Sequence, residues 1–416
     1  MRRVVVIGAG AAGTMAAIFA ADSAGADTEV LLLERTKDGG RKILISGGGR
    51  CNILPARVDE SRFVTDSSPH ILRRIVRSWP LREQIVFFET ELDLPLVEET
   101  ESAKLFPKSD SARDVRDRLL AFAQNRGVKL ISRALVTDFA PSGSGWAIAR
   151  DVGGASGVEV IHADALIVAT GGLSVPNTGS DGRGLSIAEK LGHAVRTPYP
   201  ALTPLVADPA PFANLSGVSL AVSITARAGD LAASAHGGFL FTHSGYSGPS
   251  VLDVSHVPAL SRAESDASAR VIVRWTALGD EEWEAALKAR GARTVLNAVA
   301  EHLPHRLAEA LLVSAGVEPG LSLAQLNREV RLRVIDTLVR GVLPWTGDEG
   351  YKKAEVTGGG VLLSEIDPQT MQSRRHRGLF LCGEMLDAFG PIGGYNFLWA
   401  WASGRAAGLG VSKMLC

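Results

Sequence analysis

Cysteine is scarce in this chain. Its three copies, Cys51, Cys382 and Cys416, include no C-x-x-C pair and are too scattered for a disulfide framework. That argues against a thiol–disulfide reductase and makes a reducing, cytoplasmic compartment the expected one. An excess of either charge is also missing, since 44 Lys and Arg face 45 Asp and Glu for a formal net charge of -1. So even a balance argues against indiscriminate nucleic-acid or anionic-membrane binding, while leaving room for a local basic patch. Clean apolar runs of membrane-spanning length are lacking, so no membrane span is expected. The apolar stretch Val4 to Ala21 after Arg2-Arg3 imitates a signal peptide, but it carries Gly8, Gly10 and Gly13 and leads directly into a strand pattern. His302 and His305 are parted by Pro304 and have no third ligand, so no metal site is expected.

Glycine, by contrast, is abundant, with 45 copies in 416 residues, where average usage is about 7%. Its first cluster is informative. The β-branched run 3–7 reads as a strand buried on both faces, and Gly8-Ala9-Gly10-Ala11-Ala12-Gly13 follows at once. A helix-compatible stretch, a second strand from Glu29 to Leu33, and Glu34 complete the order of a dinucleotide-binding βαβ unit. In that reading Gly8 makes the tight turn, Gly10 admits a pyrophosphate, Gly13 lets helix and strand approach, and Glu34 accepts from ribose hydroxyls.

Further along, residues 70–90 read as helical, Arg113 to Arg126 as an amphipathic helix, and Val128 to Ile131 as a strand followed by a β-rich meander to Ile161. Leu166 to Ala169 is another buried strand. Residues 200–277 alternate in short runs broken by Gly, Pro and Ser, which reads as a small β-barrel or sandwich. Residues 281–340 look helical, and strand patterns resume from Lys353 before a last helix. The expected architecture is α/β: a split Rossmann-type domain (1–197 and 349–416) holding an inserted β-barrel (198–278) and a helical subdomain (279–348).

Only one dinucleotide fingerprint is present, where a flavoenzyme with a dedicated nicotinamide domain would show two. Thr170-Gly171-Gly172 and Cys382-Gly383-Glu384 each follow a buried strand, and Gly393-Gly394-Tyr395-Asn396 opens the last helix. A helix N-terminus there, worth about half a positive charge, suits the pyrimidine edge of a reduced flavin. FAD therefore fits better than NAD as the bound cofactor. Cys51 beside Arg50 is a candidate proton donor, its thiol expected to be acidified by the guanidinium, and Tyr395 is a second candidate. For both, packing is the simpler role. The basic run Arg374 to Arg377 reads as a solvated loop, with an RNA contact the alternative.

Gly40-Arg41-Lys42, the run Ser46 to Asn52, Phe106 to Ser109, Phe241 to Pro249, and Gly383-Glu384 with Gly393 to Asn396 resemble the HI0933-like flavoproteins. The resemblance implies bound FAD, with contacts from Gly8, Gly10, Ala11, Ala12, Gly13, Glu34 and Arg35, and from Arg41, Lys42, Ser46, Gly47, Gly49, Arg50, Cys51 and Asn52. Val136, Thr170, Gly171, Gly172, Gly383, Glu384, Gly393, Gly394, Tyr395 and Asn396 complete the set. This sequence departs from the usual pattern at Ile53-Leu54-Pro55 and at Ala388 to Ile392. The expected function is FAD-dependent reduction of a polarised C=C bond in a small molecule, with NAD(P)H as transient donor. Amine or amino-acid oxidation with O2, and uridine reduction in ribosomal RNA, are the alternatives.

Overall fold

A computed structural model describes residues 1–25, 27–152, 157–264, 269–288 and 292–415, so Cys416 lies outside the described residues. The chain forms two compact units, Met1–Tyr199 with Val356–Cys416, and Pro200–Glu355.

The first unit is built on a five-stranded sheet, whose strands we label β1 (Arg2–Ile7), β2 (Thr28–Leu33), β3 (Lys129–Ile131), β4 (Ala165–Val168) and β5 (Leu379–Leu381). Their order is β5-β4-β1-β2-β3, and every neighbouring pair is parallel. Val4, Val5 and Val6 are fully buried, as are Leu166, Ile167 and Val168 beside them, because a central parallel strand is covered on both faces. Since all five strands run the same way, the turns after β1, β2, β4 and β5 emerge at one edge. In open α/β sheets that edge carries the ligand.

Three helices matter for that edge: α1 (Ala11–Ser23), α2 (Pro69–Arg77) and α3 (Tyr395–Leu415). α1 is buried nearly all round, which fits its run of small residues. It packs against α3 at very short range. A Cβ on Gly404 would lie 2.3 Å from the Ala12 carbonyl oxygen, and one on Gly408 would lie 2.5 Å from that of Ala16. The helix expected over 70–90 is broken by Pro80 into α2 and a second segment from Leu81, because proline starts a helix readily but does not continue one. Three antiparallel strands, Leu135–Ser142, Gly145–Asp151 and Val158–Ala163, form the expected meander. Among the described residues no helix is long and apolar enough to cross a membrane.

The second unit carries a seven-stranded antiparallel sheet. The long hairpin Ser219–Ala228 with Leu231–Phe241 lies at its centre. Its two outermost strands, Gly341–Val342 and Gly347–Asp348, come from beyond the helical stretch. One hydrophobic core, including Leu205, Val271, Trp283, Leu307 and Leu338, serves both sheet and helices. Residues read from sequence as barrel and helical parts are thus gathered into one compact unit. Within the stretch read as β, Pro249–Val254 and His256–Glu264 are helical, started by Pro249 after Gly248 at φ +94°.

Candidate cofactor site

The turn after β1 needs its glycines. Gly8 has φ +101°, and a Cβ on it would sit 2.5 Å from the Ala169 carbonyl oxygen. A Cβ on Gly13 would lie only 1.9 Å from the Gly8 oxygen. Gly10 differs, because nothing lies within 4 Å of its missing Cβ. It caps α1 without a side-chain hydrogen bond, so the helix meets open space with its first N–H groups, Ala11 and Ala12 among them.

Glu34 follows β2 directly, at 8% exposure. One of its oxygens accepts from the Ala9 N–H at 3.0 Å, the other from the Thr36 N–H at 2.8 Å and hydroxyl at 2.6 Å. A carboxylate offers about four acceptor positions, so the protein takes most of what the sequence reading reserved for two ribose hydroxyls. Arg35 turns to Asp181 at 2.6 Å. Arg41 lies 3.7 Å from Asp38 and donates to the Asn177 carbonyl. Val136 is buried beside a bulge in its strand.

Lys42 and Glu384, taken singly from the sequence, meet here. The Lys42 ammonium is 2.5 Å from Glu384 Oε2 and 2.6 Å from the Ser174 hydroxyl. Ser174 donates to Glu384 Oε1, which also accepts from the Thr357 N–H at 2.9 Å. Burial alone would raise the Glu384 carboxyl, but the Lys42 charge and these hydrogen bonds outweigh it and hold the group below its ordinary range. Thr357 also accepts from the Leu173 and Ser174 N–H groups, and Gly172 leaves room for it, since a Cβ there would be 2.3 Å from the Thr357 hydroxyl. Ser174 and Thr357 were missed from sequence, although the run Gly358-Gly359-Gly360 after Thr357 marks a second close-packed turn. Gly171 at φ +71° is also in this turn, and next to it the buried Thr170 hydroxyl has no partner among the described residues. Gly383, at φ +77°, packs against Ala12.

The loop after Lys42 winds in the left-handed region. Gly47, Gly48 and Gly49 have φ +55°, +69° and +89°, and Cys51 has φ +62°. Ser46 closes the turn by accepting from the Cys51 N–H at 3.1 Å, and Asn52 packs on Gly47. Cys51 is fully buried, and burial pushes its thiol up to about 12 despite a hydrogen bond with Ser46. Arg50 does not acidify it. The guanidinium faces Asp110 at 2.6 Å and Glu99 at 3.0 Å, 4.1 Å above the Phe106 ring. The expected thiolate-promoting contact is therefore replaced by a surface ion-pair cluster.

Gly393 and Gly394, at φ +102° and +92°, lead into α3. A Cβ on Gly394 would strike the Leu54 carbonyl carbon at 2.4 Å. The Tyr395 hydroxyl accepts from the Asp59 N–H at 3.1 Å and donates to the Arg57 carbonyl at 3.3 Å, with its ring edge-on to Phe63. Asn396 clips residue 390, accepting from the Gly390 N–H and donating to its carbonyl, both at 2.9 Å. Asp387, also missed, is 3% exposed and accepts from the Asp66 N–H and the Thr65 hydroxyl. Burial raises its carboxyl. The basic run is not a bare loop, because Arg375 pairs with Glu365, Arg374 donates to the Ile366 carbonyl and His376 binds the Leu191 carbonyl. No His, Cys, Asp and Glu cluster able to hold a metal occurs among the described residues.

Residues 2–410 match the family described as HI0933-like protein Rossmann domain. The chain belongs to this family. It is an oxidoreductase on an FAD-binding Rossmann fold. It is 33% identical to a ribosomal RNA dihydrouridine synthase of Escherichia coli, over 97% of this chain and 96% of that protein. It is 31% identical to a 3-dehydro-bile acid delta(4,6)-reductase of Clostridium scindens, over 98% of each. Among solved structures, 3-ketosteroid delta1-dehydrogenase of Sterolibacterium denitrificans shares the fold at 12% identity and TM-score 0.54, over 99% of this chain and 100% of that one.

Proposed function

We propose that this protein binds FAD tightly but without a covalent bond, and uses it to reduce a C=C bond conjugated to a carbonyl, with NAD(P)H as donor. The observation that carries this is the open end of α1 over Gly10, joined to two relatives named for related chemistry. A dihydrouridine is a uridine with two more hydrogens across a carbonyl-conjugated double bond, so both names describe one bond type.

The residues present fit FAD. The uncapped α1 terminus suits a pyrophosphate, and the unpartnered Thr170 hydroxyl offers one further hydrogen bond. When bound, FAD supplies the hydride acceptor and donor. Gly8 and Gly13 bring helix and strand together, so that the α1 N–H groups would hold the phosphates. The Lys42–Glu384–Ser174–Thr357 network fixes the turns after β4 and β5, which would hold the cofactor's sugar-like chain. We assign Cys51 and Tyr395 positioning roles: one shapes the left-handed loop, and the other ties α3 to residues 57–59.

Anaerobic stopped-flow mixing, followed near ~450 nm where oxidised flavins absorb, tests the reading. Bleaching by NADH or NADPH, then recovery on adding a cyclic enone, is the expected result. Bleaching by small amines alone would replace it with an oxidase.

One observation favours RNA as the carrier of the double bond. Arg57, Arg73 and Arg74 (the last two on α2) and Arg82 in the segment from Leu81 make no ion pair among the described residues and are partly or fully exposed. Of these, Arg57 adjoins Tyr395, whose hydroxyl donates to the Arg57 carbonyl. Unpaired, exposed guanidinium groups suit a phosphodiester chain. The R73E/R74E double variant should then weaken salt-dependent RNA binding while leaving FAD content unchanged.

A further inference from the structure

Lys104 is a lysine without an assigned task. It begins the strand Lys104–Pro107 and is half-buried. Its side chain lies along the backbone of Gly393, where a Cβ would come within 3.2 Å of the lysine Cε and 3.5 Å of its Cγ. Gly393, at φ +102°, is thus a glycine for two reasons, its backbone conformation and the lysine stem across it.

The ammonium at the end of that stem makes no hydrogen bond or ion pair among the described residues. Glu99 stands opposite in the antiparallel register and feels its charge. However, one Glu99 oxygen is held by Arg50 at 3.0 Å and the other by Ser102 at 2.6 Å. On the other flank, Lys104 faces Pro55, which offers no acid. The same glycine pair opens α3, whose first turn is positive as well. A cation left unpaired beside a positive helix end is disfavoured until an anionic group arrives.

We propose that Lys104 is the cation set against the flavin edge that becomes negative when the cofactor takes up an electron pair. It thereby governs how readily the bound flavin accepts one. This rests on the FAD reading above. Lys104 acts as a positioning and tuning residue, and no proton leaves it.

Sulfite provides a readout apart from turnover. Its sulfur lone pair forms a bond to flavin N5, and the displaced electron pair comes to rest on the N1–C2=O edge. No oxidant or reductant is consumed. Purified FAD-loaded wild type, Lys104→Met and Lys104→Arg would be titrated with sulfite, reading the loss of flavin absorbance. Methionine keeps the apolar stem over Gly393 and removes only the charge, so a merely structural role would leave affinity unchanged. We expect the Met variant to bind sulfite at least ~10-fold more weakly, about 1.4 kcal/mol, and the Arg variant to stay within about threefold. FAD content near one per chain with equal sulfite affinity in Lys104→Met would overturn the assignment. So would a flavin-loaded wild type that takes up no sulfite. Absence of FAD from wild type would instead sink the cofactor reading itself.

Discussion

The Lys42 ammonium and the Glu384 carboxylate meet at 2.5 Å across 342 residues of sequence, joining the loop after Gly40 to the turn after β5. Because the Glu384 carboxyl is held below its ordinary value, its contribution to stability is full above the unfolded carboxyl pKa of about 4.3. It is lost as pH falls through the lower folded value. Lys42→Met removes the charge but leaves the burial. The variant should lose about 2–3 kcal/mol at pH 7, below the roughly 3–5 kcal/mol of a fully buried pair, since 20% of the Glu384 side chain still meets solvent. The deficit should shrink toward pH 5 as the orphaned carboxyl takes a proton, which urea unfolding at both pH values would show.

Gly10 and Gly13 should separate cofactor binding from folding. Gly10→Ala adds a Cβ into open space, so the apoprotein should melt within about 1–2 °C of wild type, a surface-like change. FAD affinity should still fall at least ~10-fold, because the methyl stands where the phosphates approach. Gly13→Ala forces a contact of 1.9 Å with the Gly8 oxygen and should depress both folding and FAD content. Similar behaviour of the two variants would contradict the open helix end as the phosphate site.

Native Cys51 and Cys382 should resist iodoacetamide at pH 8. Both are fully buried, and burial pushes both thiols up to about 12, where the reactive thiolate is a negligible fraction. Peptide mass spectrometry after labelling in buffer and in urea tests this, with rapid labelling only in urea. Cys51→Ala should keep reoxidation of the reduced flavin by the enone within about fivefold, whereas a loss of ~100-fold in that step, typical of removing a proton-transferring group, would make Cys51 the acid.

Tyr395→Phe deletes a hydroxyl that, among the described residues, bonds backbone groups of residues 57 and 59. Stability should drop by about 1 kcal/mol while the pH profile of substrate reduction keeps its shape. Loss of an alkaline limb in that profile would assign the hydroxyl a proton instead.

Local pattern made the first half of the site legible. Gly8, Gly10 and Gly13 act within one turn, so their spacing carries their geometry, and β1, β2 and β4 announce themselves by uninterrupted apolar residues. What depends on distant partners was not legible. Nothing near Arg50 in sequence indicates that its guanidinium faces Asp110 and Glu99 rather than Cys51. The φ of +62° at Cys51 comes from closure of the loop on Ser46, and residue type alone would argue against it. In the second unit, Gly341–Val342 and Gly347–Asp348 are two-residue strands, shorter than any alternation can reveal. The helices from Pro249 to Glu264 lie where Gly, Pro and Ser had suggested turns between strands.

The contact of α3 with α1, where Gly404 and Gly408 rest on the Ala12 and Ala16 carbonyls, also sets a timetable for biosynthesis. The fingerprint helix leaves the ribosome well before the glycines that seat it, Gly404 and Gly408, which follow roughly 390 residues later. At roughly 5–20 residues per second, that is a wait of about 20–80 s, during which the apolar flank of α1 has no permanent cover. Cofactor capture by the nascent chain is therefore a late event, and truncations that remove the end of α3 should yield chains that chaperones retain rather than yellow protein.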